Sequence, residues 1–510
     1  MSPIIARARP RLLLPWNRVV TNSISCFFHG DAHWSDNSSV PRFQQTSREF
    51  SSSSSSLAKS SPTLWSLDRL IDIRQEEGSE NHHHDTTQYN ALLLELVQDI
   101  TVRLEQQHDS LVALEQMVFM SAKKDRDNHL DRAYKTIRDF QHLHKDTHRK
   151  CSMLLPALEK QLGQSASSSV IPSLLLKHTQ QTLQETYTRH SLTMESLAEM
   201  VIHVRTILLT DSSPWDEAVL AFLRARVGLQ LLAEHGSQLA KQQLDQKKQQ
   251  QDQKMGVISK EILVWELIEQ SVTEAKHLCE AHYLHSPTVL GIPSDSSPAS
   301  LIPPSLLSSV PPTAASTDDE AEDHESHKGI DDDPPTFTFV RPWLQFALVE
   351  LLKNSMAITV HRQLMMIGVD GPQHYYESSS TKDNNDDDSF GLNPIFVQVH
   401  DTHDFIEIEL LDQAGGIEDD SKDLFSFCQT QEIWDRMDDQ QTYAMTRSPL
   451  QGLGVGLCMS RMYLQHFGGT LDLEDRQEEE LALVSLLLKK GVNSRLRIPK
   501  NTSILEQNRR

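Results

Sequence analysis

The stretch Leu344-Gln-Phe-Ala-Leu-Val-Glu-Leu-Leu-Lys-Asn-Ser-Met-Ala357 carries two patterns at once. Leu344, Ala347, Leu348, Leu351 and Leu352 recur at i, i+3, i+4, i+7 and i+8, the apolar stripe of a helix that lies on a sheet. The helix is predicted over about 342–367. At 100° per residue, Glu350, Lys353 and Asn354 fall on the opposite side, with Glu350 and Asn354 one turn apart. A carboxylate, an ammonium and an amide therefore converge on one small region. Such a trio suits a nucleotide phosphate tail: the amide oxygen can ligate Mg²⁺, the lysine can neutralise phosphate, and the carboxylate can accept a proton.

Two downstream segments strengthen this reading. Phe405-Ile-Glu-Ile-Glu-Leu410 alternates strictly, so it is a strand with one wet and one buried face. It runs into Asp412-Gln-Ala-Gly-Gly416, where a buried carboxylate at a strand end can accept a hydrogen bond from an exocyclic amine such as that of adenine. Gly415 and Gly416 let the backbone turn close to a ligand. Gly452-Leu-Gly-Val-Gly-Leu457 precedes a helix predicted to reach about Phe467, and its glycines allow backbone N–H groups to cradle phosphates at the helix start. No strand directly precedes these glycines, as a dinucleotide-binding βαβ unit would require. Instead 427–450 reads as a polar loop able to fold over a nucleotide as a lid, with Gln429–Gln431 and Asp435–Gln441 in it.

The order E-x-x-K-N, D-x-x-G-G, G-x-G-x-G resembles the three nucleotide-binding boxes of the GHKL ATPase superfamily. Within it, the sequence is most similar to the mitochondrial protein kinases of the pyruvate and branched-chain 2-oxoacid dehydrogenase complexes. The segments that carry this are Glu350-Leu-Leu-Lys-Asn-Ser-Met-Ala357, Phe222 to Gly236, Ala275 to Pro287 and Gly452 to Gly469. With the helical region upstream, the resemblance spans about 90–500. It implies an N-terminal four-helix bundle followed by a GHKL α/β sandwich that binds ATP and Mg²⁺. It further implies Asn354 as the magnesium ligand, Glu350 as the acid/base carboxylate, Lys353 as the lysine of that helix, and Asp412 as the adenine-reading aspartate. Gly416 resembles the adjacent pocket glycine and Thr430 a residue of the lid near the nucleotide. Gly452, Leu453, Gly454, Val455, Gly456 and Leu457 resemble the hinge that contacts the phosphates.

The implied reaction is phosphorylation of a serine on the decarboxylase subunit, which inactivates the complex. The lipoyl domain of the acyltransferase core and a second copy of the chain are further implied partners. The sequence departs from the family pattern at Phe346, where pyruvate-type members have histidine, and at Ala357, where an arginine is usual. Ala414 replaces a glycine, and Gly491-Val492 stands where a Gly-Thr pair is usual. The residues leave open pyruvate or branched-chain substrates, and a nucleotide-binding adaptor without catalysis.

Upstream, 89–254 is almost free of glycine and rich in helical periodicity, beginning with Leu92, Leu93, Leu96, Val97 and Ile100. Further helices are predicted over roughly 126–160, 173–210 and 215–247, which makes a bundle, with another at about 257–283. His178 and His190 read as helix-surface residues, because neither is followed by the acid of a phosphotransfer helix. Strands are predicted at Phe337–Val340, Ile395–His400 and Phe405–Leu411. The expected division is 51–88 as a disordered linker, 89–254 as the bundle, and 255–500 as the nucleotide domain with disordered insertions at 293–335 and 376–390.

Residues 1–30 hold Arg7, Arg9, Arg11 and Arg18, no acid, and interleaved Leu and Val, the makeup of a cationic amphipathic import signal. Arg48-Glu-Phe50 resembles a presequence cleavage site, so 1–50 is expected to be a mitochondrial transit peptide and the mature protein to be in the matrix. Over the whole chain 71 acids against 48 bases give −23, which argues against nucleic acid as a partner. Most of this charge lies in 316–333, 382–388, 417–448 and 474–480. The most apolar run, Leu481–Leu488, is far shorter than the ~20 residues of a membrane span. The cysteines are widely spaced and lack zinc-type pairing.

Overall fold

A computed structural model describes residues 65–71, 82–121, 128–163, 171–191, 193–207, 213–245, 254–291, 336–366, 392–402, 404–414, 424–428, 454–476 and 481–489. The protein is mixed helix and sheet, mostly helical. The helical half contains α1 (Leu67–Ile71), α2 (His82–Ser121), α3 (Asn128–Gly163), α4 (Ser173–Ser191), α5 (Met194–Ile207) and α6 (Ser213–Leu244). Helix α2 packs against α3 and α6, α3 against α4 and α5, and α4 against α6. The predicted stripe of α2 is buried from Leu92 through Ile100 and continues through Leu104, Leu111, Leu114 and Val118.

Three expectations for this half need correction. First, part of the stretch expected to be linker is ordered: Trp65 and Leu70 are buried, and the Trp65 indole N–H donates to Asp99 Oδ2 at 2.8 Å. The apolar run around Trp65 is short, so it gives little periodic signal, and its docking depends on the carboxylate that α2 offers. Second, the helix expected over 173–210 is two helices. At the junction, Thr193 Oγ1 donates to the His190 carbonyl at 2.9 Å and Arg226 Nη2 donates to the same oxygen, diverting it from the helical ladder.

Third, His190 is a core residue, not a surface one. It extends a buried stripe of Leu176, Thr179, Leu183 and Thr186 whose polar members disguised it. Its ring meets His144 edge-on at 4.6 Å, and its Nε2 lies 3.3 Å from Thr147 Oγ1. Burial holds the imidazoles of both far below the usual range, His144 at about 3, so both are neutral. His178 is exposed, as predicted.

The second half comprises β1 (Lys254–Met255), β2 (Ile258–Leu263), α7 (Val264–Tyr283), β3 (Val289–Leu290), β4 (Thr336–Phe339) and α8 (Arg341–Met366). It continues with β5 (Ile395–Asp401), β6 (Phe405–Asp412), α9 (Gly456–His466), β7 (Thr470–Arg476) and β8 (Leu481–Lys489). The larger sheet has the order β3-β5-β6-β8-β7, antiparallel except for the β3–β5 pair. A small sheet, β1-β2-β4, flanks it. The most apolar run of the chain is β8, paired on both sides.

Strand β6 alternates as predicted, with Ile406, Ile408, Leu410 and Asp412 buried. The predicted helix at about 257–283 instead begins at Val264, because Ile258–Leu263 pairs with β1 and β4. The spacing of Ile258, Ile262 and Leu263 fits a helix as well as a strand, and a pairing partner more than 70 residues away decides.

Helix α8 is the keystone of this half, packing against α7, α9 and β6. Leu344, Ala347, Leu348, Leu351 and Leu352 are all buried. Trp343 stacks on Tyr463 of α9 with centroids 4.6 Å apart and planes 17° apart, and Phe467 lies against the same indole. We predict that Leu348→Ala lowers stability by about 2–5 kcal/mol, the usual cost of an emptied leucine site, read as a shift of the urea midpoint at unchanged slope.

Candidate functional site

The site is assembled where the wet side of α8 meets the end of β6 and the start of α9. Glu350 and Lys353 lie one turn apart and form an ion pair, Oε2 to Nζ, at 2.6 Å. Lys353 is buried, Glu350 partly so, and the next residue, Asn354, is exposed at the rim. Glu274 of α7 is drawn into the same neighbourhood. Burial raises its carboxyl above the usual range, the Gln345 amide that donates to it at 3.2 Å opposes this, and the Glu350 charge adds to the rise.

Asp412 closes the buried face of β6. Burial is the largest influence on its carboxyl and raises it above the ordinary 3.8, against the lowering effects of the Ser355 hydroxyl and the Ala414 N–H. The Ala414 N–H reaches Oδ1 at 3.2 Å. Ser355 follows Asn354, so this hydrogen bond fastens the amide-bearing turn of α8 to the end of β6. Ala414, where the pattern has glycine, keeps its N–H on Asp412 and is not among the positive-φ residues, so alanine fits.

The glycines meet Glu350 from the other side. A Cβ on Gly456 would collide with the Glu350 carboxylate, lying 2.9 Å from its Cδ and closer still to Oε2. Only a glycine lets the first turn of α9 approach this far. Gly454 has φ +69°, a left-handed conformation that costs other residues about 1–2 kcal/mol. Its carbonyl accepts from the Cys428 N–H at 2.9 Å.

The three motifs are therefore brought together through Glu350 with Gly456 and through Ser355 with Asp412. Val455 and Leu457 flank Gly456 at the start of α9. Gly416, Thr430, Gly452 and Leu453, the expected lid of 427–450 beyond Cys428, and Gly491-Val492 lie outside the described residues. So do the expected transit peptide and both insertions. Phe346, at the position of the family histidine, lays its ring edge-on to Tyr463 at 5.6 Å.

Sequence reasoning missed Ser355 and Glu274. Ser355 had a usable signal: a buried carboxylate needs a donor, and a serine hydroxyl follows Asn354 directly. Glu274 had none, since it comes from another helix.

Among the described residues no group of three or more His, Cys, Asp or Glu can hold a metal ion. The donors present do fit a magnesium nucleotide. Mg²⁺ prefers few protein ligands, with water and phosphate oxygens completing its shell, and the exposed Asn354 amide beside Glu350 can supply one. No protein-family model matches the sequence, and no curated protein matches it significantly.

Two measurements test this geometry. Gly456→Ala should cost about 1–3 kcal/mol by overpacking, and the cost should shrink in a Glu350→Ala background, giving a non-zero coupling in a double-mutant cycle of urea unfolding. For Asp412, the folded state holds the proton more tightly than the unfolded chain. Its contribution is therefore most favourable below 3.8 and falls as pH rises through the elevated value. Asp412→Asn should accordingly gain stability relative to the parent as pH is raised above about 4, then level off, in urea midpoints measured across pH.

Proposed function

We propose that the protein is a mitochondrial matrix protein kinase of the 2-oxoacid dehydrogenase complexes, transferring phosphate from Mg·ATP to a serine of the decarboxylase subunit and so inactivating it. The observation that carries this is the meeting of three segments distant in sequence, the Glu350–Ser355 turn of α8, Asp412 at the end of β6 and Gly456 at the start of α9, which supports a nucleotide site of the GHKL kind. The closed series of pairings α2-α3-α4-α6 supports reading the helical half as the four-helix bundle of such kinases. The bundle would dock on the complex, with the lipoyl domain of its acyltransferase as a further contact. Helices α8 and α9 packed on a five-stranded sheet, with α7 against α8, support the GHKL reading of the second half. Among the described residues no helix is long and apolar enough to cross a membrane.

In this reading the nucleotide supplies the phosphoryl group and its magnesium neutralises phosphate charge. Asp412 and its Ser355 partner accept and orient the adenine amine. Asn354 contributes its amide oxygen at the phosphate end. Glu350, held by Lys353, orients the substrate hydroxyl and takes its proton. The backbone at 454–457 lies beside this carboxylate, where N–H groups at the start of α9 would serve as donors to phosphate.

A second reading, a nucleotide-binding adaptor without catalysis, is favoured by one observation. Lys353 is spent on Glu350, while Ala357 supplies no cation in place of the usual arginine. Radiolabel transfer from ATP to purified decarboxylase subunit separates the two. The kinase reading expects transfer, reduced about a hundredfold or more by Asn354→Ala, equivalent to roughly 2.7 kcal/mol of lost transition-state stabilisation. Tight Mg·ATP binding with no transfer would establish the adaptor instead.

A further inference from the structure

The base of the glycine segment is held by a residue from the helical half. Arg205, in the last turn of α5, is almost fully buried and directs Nε and Nη2 at Asp216 Oδ1, at 2.8 and 2.6 Å. Asp216 sits in the first turn of α6, so this pair closes the junction between the two helices. The remaining prong, Nη1, donates to the carbonyl of Phe427. Phe427 and Cys428 are both fully buried. Cys428 is in the left-handed region at φ 59°, which turns its N–H onto the Gly454 carbonyl.

A continuous polar chain thus runs from Asp216 through Arg205 to the Phe427–Cys428 peptide and on to Gly454. Two residues further, Gly456 rests against the Glu350 carboxylate. A second contact braces the same base, the Arg461 guanidinium of α9 lying 4.1 Å from the Phe425 ring centroid. Arg205 joins the two halves of the protein within it, and the Cys428 thiol, 3.9 Å from the Ala198 carbonyl of α5, adds a weaker tie to the same helix.

We propose that Arg205 is a positioning residue for the nucleotide site: through Phe427 and Cys428 it sets the height of the 454–457 backbone over Glu350. Part of the site's geometry is therefore supplied by the α5–α6 junction, and a change in that junction alters nucleotide affinity without touching a nucleotide-contacting side chain. The inference rests on the nucleotide-site reading for its consequence, but its mechanical part stands apart from it.

The test measures amide exchange at single-residue resolution together with titration of fluorescent mant-ATP and Mg²⁺ in the full-length chain. In Arg205→Ala, exchange at the Cys428 amide should rise about tenfold or more, the loss expected for a charge-assisted hydrogen bond, while central amides of β6 and β8 keep their protection. Affinity for mant-ATP should fall about tenfold in the same variant. Arg205→Lys can still reach the Phe427 carbonyl but cannot make both bonds to Asp216, and should recover most of that affinity; a merely structural role predicts no such rescue. Asp216→Asn, a milder change, should show an intermediate effect on the same amide. Unchanged Cys428 exchange in both Arg205→Ala and Arg205→Lys overturns the proposal, as does unchanged affinity alongside raised exchange. If the parent protein binds no nucleotide while Cys428 exchange rises in the variants, the anchoring stands and the functional reading alone is overturned.

Discussion

The two-sidedness of α8 constrains everything else in the second half. Its leucine face must lie against the sheet and its neighbouring helices, since burial of such side chains is worth about 1.5–3 kcal/mol each. Once that face is committed, helical geometry fixes Glu350, Lys353 and Asn354 on the other side, with Lys353 buried against Glu350 and Asn354 exposed at the rim. Ser355, between the faces, is then placed to reach Asp412. The packing that stabilises the domain is thus also what aims its polar groups.

The same constraint explains the glycines. Helix α9 is pressed onto α8 by the Trp343–Tyr463 stack and the Phe467 contact. With the two axes this close at the aromatic end, the first turn of α9 has room for Glu350 only where residue 456 lacks a side chain. Phe346 takes part in this packing through Tyr463 and so contributes to the helix contact.

The helical half stabilises itself differently, with polar groups inside. Arg226 is fully buried, its Nη2 on the His190 carbonyl, while Nε and Nη1 find no hydrogen-bond partner among the described residues. Burial lowers its guanidinium to about 10. Unsatisfied buried donors cost roughly 1–3 kcal/mol each, and the apolar core of α2, α3 and α6 around them offsets that cost. Trp65 adds a contact from outside the main helices, through Asp99, which also holds Arg103 at 2.7 Å.

The apolar period of 344–352 and the alternation of 405–410 were legible because they are local: each follows from side chains a few residues apart and a fixed backbone repeat. So were the positions of Glu350, Lys353 and Asn354 on one side of a helix, and the glycines that precede another. The break between α4 and α5, the strand at 258–263, the burial of His190 and the docking of Trp65 were not legible, because each is settled by a partner tens of residues distant. The sequence by itself determined which faces had to be buried and which residue types stood ready for a phosphate and a base. Only the tertiary structure decided that Ser355 restrains Asp412, that Gly456 accommodates Glu350 and that Arg205 reaches Phe427. Hydrogen bonds and close contacts act over a few ångströms, and no periodicity along the chain records which distant segment will arrive within that range.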